Sequence, residues 1–393
     1  MEGINYDVAI IGGGASGMAC AVRLAESGKK ISMIILEAGE RLGKKLAATG
    51  NGQGNVSNID MTPAHYFGGG AYLAERIACK NAYDGCKLFD CLFSADDTGK
   101  IYPTGRQASA LTDNFIRKLE DKCDIVLGAQ VKSIVKENGV FKIEYSNRQI
   151  FAKYAVLCTG GKAQRQFKTD GSSYALAQKL GHTITSLYPS LVQLKTDTDY
   201  IKTLKGIRVY CKATAISPKG KKIKTVSGDV IFTDYGVSGN AIFSLSAYVA
   251  DKPDCSLSME FLPDVSKTVI KNNIEKRKAY GCKTSELLSG TLHNQLGRAI
   301  IARSGGDGNT DEIVNTLKNF VLKITGTLGF DYAQVTKGGV DVKDITDELE
   351  SRYADNLFFA GEILDVDGDC GGYNLQWAFT SAMQVADVIL SRL

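Results

Sequence analysis

The chain has 393 residues, 44% of them apolar and 23% charged. That length exceeds one ordinary core and suggests two or three domains at roughly 150 residues each. Its 47 basic and 43 acidic residues leave a net charge of +4, too small a surplus to point to a nucleic-acid partner. No stretch approaches about 18 consecutive apolar residues, so nothing is expected to span a membrane.

In chain order, the first segment is "YDVAIIGGGASGMACAVRLAESGKKISMIILEAGE". It starts without a basic leader, so the expected location is the cytoplasm. The run Val8 to Ile11 reads as a buried parallel strand. Gly12, Gly14 and Gly17 supply G-x-G-x-x-G: a tight turn, a close approach of backbone to a pyrophosphate, and a close helix–strand contact. A helix ending at Gly28 and a second strand, "ISMIIL", lead to Glu37, 20 residues after Gly17. A carboxylate at that distance can accept hydrogen bonds from adenosine ribose hydroxyls. Ala38 follows, with no arginine for a 2′-phosphate, so FAD or NAD is expected before NADP.

The next stretch, "GERLGKKLAATGNGQGNVSN", carries Arg41, Lys44 and Lys45 and then Gly50, Asn51, Gly52, Gly54 and Asn55. Glycines around short amides suit backbone lying against a phosphorylated ligand, and they also suit a surface loop. "GGGAY" at 68–72 follows "TPAHYF", which does not read as a strand, so no second nucleotide motif is expected there. "NAYDGCKLFDCLFS" reads as an amphipathic helix, which makes Cys86 and Cys91 buried thiols and not a redox pair. All ten cysteines read as reduced and mostly buried, and the three histidines offer no zinc spacing.

"YAVLCTGGKA" repeats the logic of a strand ending in small residues, here Thr159, Gly160 and Gly161. From 191 to 261 short β-like runs alternate with Gly, Pro and Lys, whereas 264–320 turns helical. "SPKGKKIKTV" reads as a solvated hairpin tip. Near the C-terminus, "NLFFAGEILDVDGDCGGYNLQWAF" delivers Gly361 and Glu362 from a strand and then enters a helix. Asp365, Asp367 and Asp369 alternate like the first ligands of a calcium loop, but its sixth and twelfth positions hold Cys370 and Gln376. No metal is expected, and three returning strands favour the longer FAD over NAD.

Taken together, "GGGASG", "GKKLAATGNGQGNVSN", "GKIYPTGRQAS", "LCTGG", "YPSLVQL", "FTDYGVSGNAI", "VTKGGVDVKDI" and "FFAGEILDVDGDCGGYNLQWAFTSA" make the chain resemble a bacterial family of FAD-dependent oxidoreductases. This is the bile-acid-inducible flavoprotein and aminoacetone-oxidase-like group within the two-dinucleotide-binding-domain flavoproteins. The sequence departs from the family pattern at Gly54, Asp234 and Asn240, where cysteine, histidine and proline are usual.

The resemblance implies an α/β, Rossmann-like FAD-binding domain at 1–188 and 338–393. It is interrupted by a β-barrel-like domain at 189–263 and 322–337, with a helical sub-insertion at 264–321. The expected cofactor contacts are Gly12, Gly14, Ala15, Ser16, Gly17, Glu37, Ala38, Arg41, Lys44, Lys45, Gly52, Asn55, Val131, Thr159, Gly160, Gly161, Gly361, Glu362, Gly372, Tyr373, Asn374 and Leu375. The helix near Gly372 is expected to aim N–H groups at the flavin ring. Tyr102 and Arg106 are the catalytic candidates, with Asp234 and Tyr235 also offered, although each type serves equally well as a core tyrosine or an ion-pairing residue.

The expected activity is FAD-dependent reduction of an activated C=C bond in a small or medium organic substrate, with NADH or NADPH as donor. A peroxide-producing amine oxidase is the alternative, and a flavin-dependent RNA-modifying or RNA-binding protein the alternative of another class. The oligomeric state is left open.

Overall fold

The computed structural model describes residues 6–393 and divides into two compact units. One takes the described residues up to Tyr188 together with Val335–Leu393, and the other is Pro189–Gln334.

The first unit is built on a parallel sheet of five strands. Their order is Asp124–Val126, Met33–Leu36, Tyr6–Ile11, the C-terminal half of Arg148–Leu157, and Leu357–Phe359. A sheet covered on both faces has no wet side, so its strands are runs of apolar residues instead of alternations. Val8, Ala9, Ile10, Ile35, Val156, Leu157 and Phe358 are all fully buried. The helix Ala15–Ala25 packs along the long C-terminal helix Tyr373–Arg392. The N-terminal half of Arg148–Leu157 leaves the parallel layer and pairs antiparallel with Val140–Tyr145, which pairs in turn with Val131–Glu137. One strand therefore serves two sheets, and its alternating half ("RQIFAK") gives way to its continuous apolar half ("YAVL") where the pairing changes.

The second unit is a closed antiparallel barrel of six strands. In chain order they are Leu194–Thr196, Arg208–Ile216, Lys222–Phe232, Gly236–Ser238, Ser256–Phe261 and Phe320–Thr327. Between the last two lie the helices Lys267–Ala279, Asn294–Arg303 and Thr310–Lys318. Ser266, His293 and Asn309 cap these helices through side chains that accept first-turn N–H bonds. The lysine-rich stretch closes as a tight turn, with Gly220 at φ +76° and the Ser217 N–H bonded to the Lys221 carbonyl. The α/β architecture with an added barrel is thus the one expected, and the observed return to the first unit falls at Val335.

Three local expectations are corrected. Residues 81–94 form no amphipathic α-helix: a single 3-10 turn at Gly85–Leu88 precedes the strand Phe93–Ala95. Phe89 is withdrawn there into an aromatic cluster with Phe115 and Phe379, which fixes the chain in extended form. "HYF" does end in a strand, because Tyr66–Phe67 pairs with Asp367–Gly368 and is followed by the helix Ala71–Ile77. The cysteines are all free, but they are less uniformly buried than expected. Cys91 is exposed, and Cys79, Cys123, Cys282 and Cys370 are half-buried. Burial pushes the Cys86 thiol up to about 12, which makes it an inert thiol beside an exposed one.

Candidate functional site

The glycine turn after Tyr6–Ile11 has the shape that a dinucleotide phosphate requires. Gly12 sits at φ +101°, and a Cβ there would lie 2.5 Å from the Cys158 carbonyl oxygen. A Cβ on Gly17 would lie 1.9 Å from the Gly12 carbonyl oxygen, so the helix can approach the strand this closely only with glycine. Gly14 differs, because no atom lies within 4 Å of its missing Cβ. The turn is closed on its protein side and open on its outer side. No side chain caps the helix that starts at Ala15, so its first N–H groups are available to an anion.

Glu37 anchors the far end of this turn. Its Oε2 accepts the Gly13 N–H at 2.7 Å and its Oε1 the Gly39 N–H at 2.6 Å, leaving lone pairs for ribose hydroxyls. The Glu37 carbonyl accepts the Ala129 N–H, which brings the chain entering Val131 alongside. Ala38 and Arg41 are exposed, and Lys44 is half-buried.

A second cluster joins segments far apart in sequence. The Glu362 carboxylate accepts the Lys45 ammonium at 2.9 Å and the Thr336 N–H at 2.9 Å. The Thr336 hydroxyl accepts the N–H groups of Lys162 and Ala163 at 2.7 and 3.1 Å. Gly161 fits between them, since a Cβ there would lie 2.5 Å from the Thr336 oxygen and 2.7 Å from Glu362. Gly361, at φ +80°, backs onto Ser16 of the first helix in the same way, at 2.7 Å. Lys45, Gly161, Glu362, Ser16 and Gly361 therefore converge at the C-terminal ends of the parallel strands, where open α/β sheets bind ligands. The buried Thr159 hydroxyl in the same turn has no partner among the described residues. An orphaned donor beside an open glycine turn fits an extended, phosphorylated cofactor.

The C-terminal helix forms the third part. Gly372 is at φ +103°, and a Cβ there would strike the Ser57 carbonyl at 2.3 Å, so this helix start lies flat on the Asn55–Asn58 segment. Asn55 holds that segment by donating to the carbonyls of Ser57 and Ile101, whereas Gly52 stands open at φ +82°. Tyr373 and Asn374, expected in a turn that aims backbone N–H groups at the cofactor, direct their side chains elsewhere. The Tyr373 ring is buried, stacked on His65 at 4.4 Å and edge-on to Tyr66. The Asn374 amide is closed on both backbone groups of Gly368. What remains is the backbone: no side chain caps the helix start, so its N–H groups carry the positive end of the dipole, and Leu375 is half-buried behind them.

The three aspartates of "LDVDGDC" diverge. Asp365 accepts the Gly69 N–H at 2.9 Å, Asp369 bonds the His65 ring at 2.9 Å, and Asp367 is buried in its short strand. His65 also reaches Asp60 at 3.0 Å through its other nitrogen. This clamp on the helix start was not anticipated, nor was Thr336. The only sequence cue to His65 was its place just before the overlooked strand Tyr66–Phe67.

Tyr102 and Arg106 lie together, with the guanidinium 4.0 Å above the ring centroid. Arg106 takes a left-handed conformation, φ +50°, to reach that position, and Tyr102 is only 9% exposed. Burial pushes the Tyr102 phenol up, Asp96 adds to the shift and Arg106 opposes it; the nearby Cys370 places the phenol close to the C-terminal helix start. Asp234 and Tyr235 belong to the barrel unit, where Asp234 pairs with Lys205 at 2.7 Å. Asn240, in place of proline, caps the Asp229 N–H at 2.8 Å.

A Rossmann sheet, an open glycine turn and an uncapped helix at the same sheet edge define an enzyme of the FAD-dependent oxidoreductase class, and the comparisons with known proteins carry the same assignment. The family model described as HI0933-like protein Rossmann domain matches residues 6–388, and the chain belongs to that family. A 3-dehydro-bile acid delta(4,6)-reductase of Clostridium scindens is 33% identical over 395 aligned positions, covering 95% of this chain and 96% of that protein. A ribosomal RNA dihydrouridine synthase of Escherichia coli is 26% identical, covering 98% of each. Among solved structures, a 3-ketosteroid-delta4-(5alpha)-dehydrogenase of Rhodococcus jostii shares the fold at a TM-score of 0.53 and 14% identity, covering 99% of this chain and 98% of that one. No helix among the described residues is long and apolar enough to cross a membrane.

Proposed function

We propose that this enzyme reduces a C=C bond conjugated to a carbonyl in a small or medium organic molecule, with FAD as the redox group and NADH or NADPH as the electron source. The observation that carries the reading is the full-length similarity to a delta(4,6)-reductase. The names of the more distant relatives, dihydrouridine synthases, describe the same kind of chemistry on another substrate.

Bound FAD supplies hydride chemistry to the double bond. The residues divide the remaining work. The open turn at Gly12, Gly14 and Gly17, with Ala15 and Ser16 at the helix start, holds the pyrophosphate, and Glu37 the adenosine ribose. Lys45, Thr159, Gly160, Gly161, Gly361 and Glu362 hold the central chain of the cofactor, with Lys44 and Arg41 towards its phosphates. The N–H groups at Gly372 to Leu375 would face the flavin ring and favour negative charge there. Tyr102, kept protonated by its burial, donates the proton that completes saturation, and Arg106 holds its ring in place.

A second reading has a specific observation behind it. The barrel unit carries twenty Lys and Arg against fourteen Asp and Glu, net +6, whereas the rest of the chain is net −2. The near-neutral total hides this asymmetry, which suits a polyanion at the barrel unit. The two readings separate by mass spectrometry. The FAD-loaded enzyme with NADPH is offered a steroid-type enone and, separately, uridine-containing ribosomal RNA. Gain of two hydrogens on the enone alone supports the small-molecule reading. Gain on RNA alone transfers the activity to the second reading, and gain on neither removes C=C reduction as the function.

A further inference from the structure

Within the first unit a cavity of about 640 Å³ is lined by Gly69, Tyr72, Thr185, Asp341, Val342, Lys343, Arg352 and Asp365. None of the residues expected to hold FAD lines it. Its size falls in the range of small-molecule sites.

The wall carries both signs of charge. Asp365 is 9% exposed and accepts from the Gly69 N–H and the Thr185 side chain, with the Lys337 charge nearby. This contact also requires Gly68 at φ +88°, where a Cβ would strike the Asp365 carbonyl at 2.5 Å. Asp341 spends one carboxylate oxygen on the Lys343 N–H at 3.0 Å. Its other oxygen, the Lys343 ammonium and the terminal nitrogens of Arg352 have no partner among the described residues. Arg352 is positioned for this by its Nε, which donates to the Lys343 carbonyl at 3.1 Å. The charged atoms that Asp341, Lys343 and Arg352 turn to the cavity call for a ligand that has hydrogen-bond donors at one end and an anionic group at the other. Two carboxylates opposed by two cations do not make a metal cage, and no group of three His, Cys, Asp or Glu side chains among the described residues could hold an ion. Tyr72, 45% exposed on the helix Ala71–Ile77, adds an aromatic face at the rim.

We infer that this cavity is a second binding site, separate from the FAD site, for a ribose phosphate carrying a planar base, that is, a nucleotide. The ribose hydroxyls donate to Asp341 and Asp365, the phosphate takes Lys343 and Arg352, and the base lies against Tyr72. The inference does not depend on which substrate the flavin reduces.

Calorimetric titration of the FAD-loaded full chain tests it, with AMP, ribose 5-phosphate, inorganic phosphate and a free amino acid as probes. AMP is expected to bind, with ribose 5-phosphate weaker and inorganic phosphate weaker still. Lys343→Ala and Arg352→Gln, both at exposed positions, are each expected to weaken AMP at least about tenfold while flavin content stays unchanged. The inference is overturned if AMP does not bind, if both variants bind it as wild type does, if inorganic phosphate binds as tightly as AMP, or if the amino acid binds in preference to it.

Discussion

At the scale of single residues, two positions test whether the proposed site holds a cofactor and performs the proposed chemistry. Gly17 has no room for a methyl group, since its missing Cβ would overlap the Gly12 carbonyl oxygen. Gly17→Ala must push the first helix off the sheet, a distortion of backbone that costs at least about 1–3 kcal/mol. The expected outcome is a protein purified with little or no flavin, read from its visible absorbance, and with a lowered unfolding midpoint. Full flavin content in that variant would show that the turn is not the pyrophosphate site. Tyr102→Phe keeps the ring under Arg106 and removes only the phenol proton. The expected result is normal FAD content and normal flavin reduction by the donor, with substrate reduction slowed by on the order of 10²–10⁴-fold. Unchanged turnover would return Tyr102 to the role of a core residue.

At the scale of elements, the sequence disclosed those parts whose physics is local. The first strand, glycine turn and helix follow from an apolar run and three glycines at fixed spacing, and they stand where they were expected. The barrel strands were legible as short β-like runs broken by Gly, Pro and Lys, and the three inserted helices as a stretch that turns helical. What could not be read depends on partners distant in the chain. Tyr66–Phe67 is too short to announce itself, and it exists because Asp367–Gly368 comes to pair with it. Thr336 gains its place only when Glu362 and Lys162 arrive from opposite directions. Tyr373 and Asn374 were rightly placed at a helix start, but their side chains are drawn away by His65 and Gly368.

His182 is buried between Tyr353 and Phe359. Its Nδ1 faces the Ala177 carbonyl, which can only accept, so the neutral ring takes the Ser351 hydroxyl on Nε2. Burial lowers its pKa below the usual value of about 6.5, only partly offset by Ala177 and Asp344. Because the folded state resists protonation, His182 adds no acid penalty above about pH 6.5. Below it the unfolded state takes up the proton first, and stability falls until the folded pKa is passed. Thermal unfolding followed from pH 7.5 downward should show this decline. His182→Asn should lower the midpoint at pH 7.5 and flatten the decline, and an unaltered slope would exclude His182 as its source.

At the scale of the whole molecule, the chain puts the residues proposed to hold the cofactor in one unit and its excess positive charge in the other. The uniform bulk composition concealed that division. On the proposed reading, a charge of +6 on the barrel unit is a lever for choosing substrates, whereas the glycine turn, Glu37 and the Lys45–Glu362 pair serve the cofactor whatever is reduced. Related chains can therefore keep one unit and change substrate through the other, in line with relatives named for a bile-acid reductase and for RNA dihydrouridine synthases. Such a division makes the order of events testable. The FAD-loaded protein is mixed anaerobically with NADPH or NADH, and flavin absorbance is followed before and after a conjugated enone is added. The account predicts bleaching by the nicotinamide, recovery of the oxidised spectrum on addition of the enone, and little peroxide when air is admitted without it. A flavin that nicotinamide leaves oxidised but an amine bleaches, with peroxide formed in air, would contradict it.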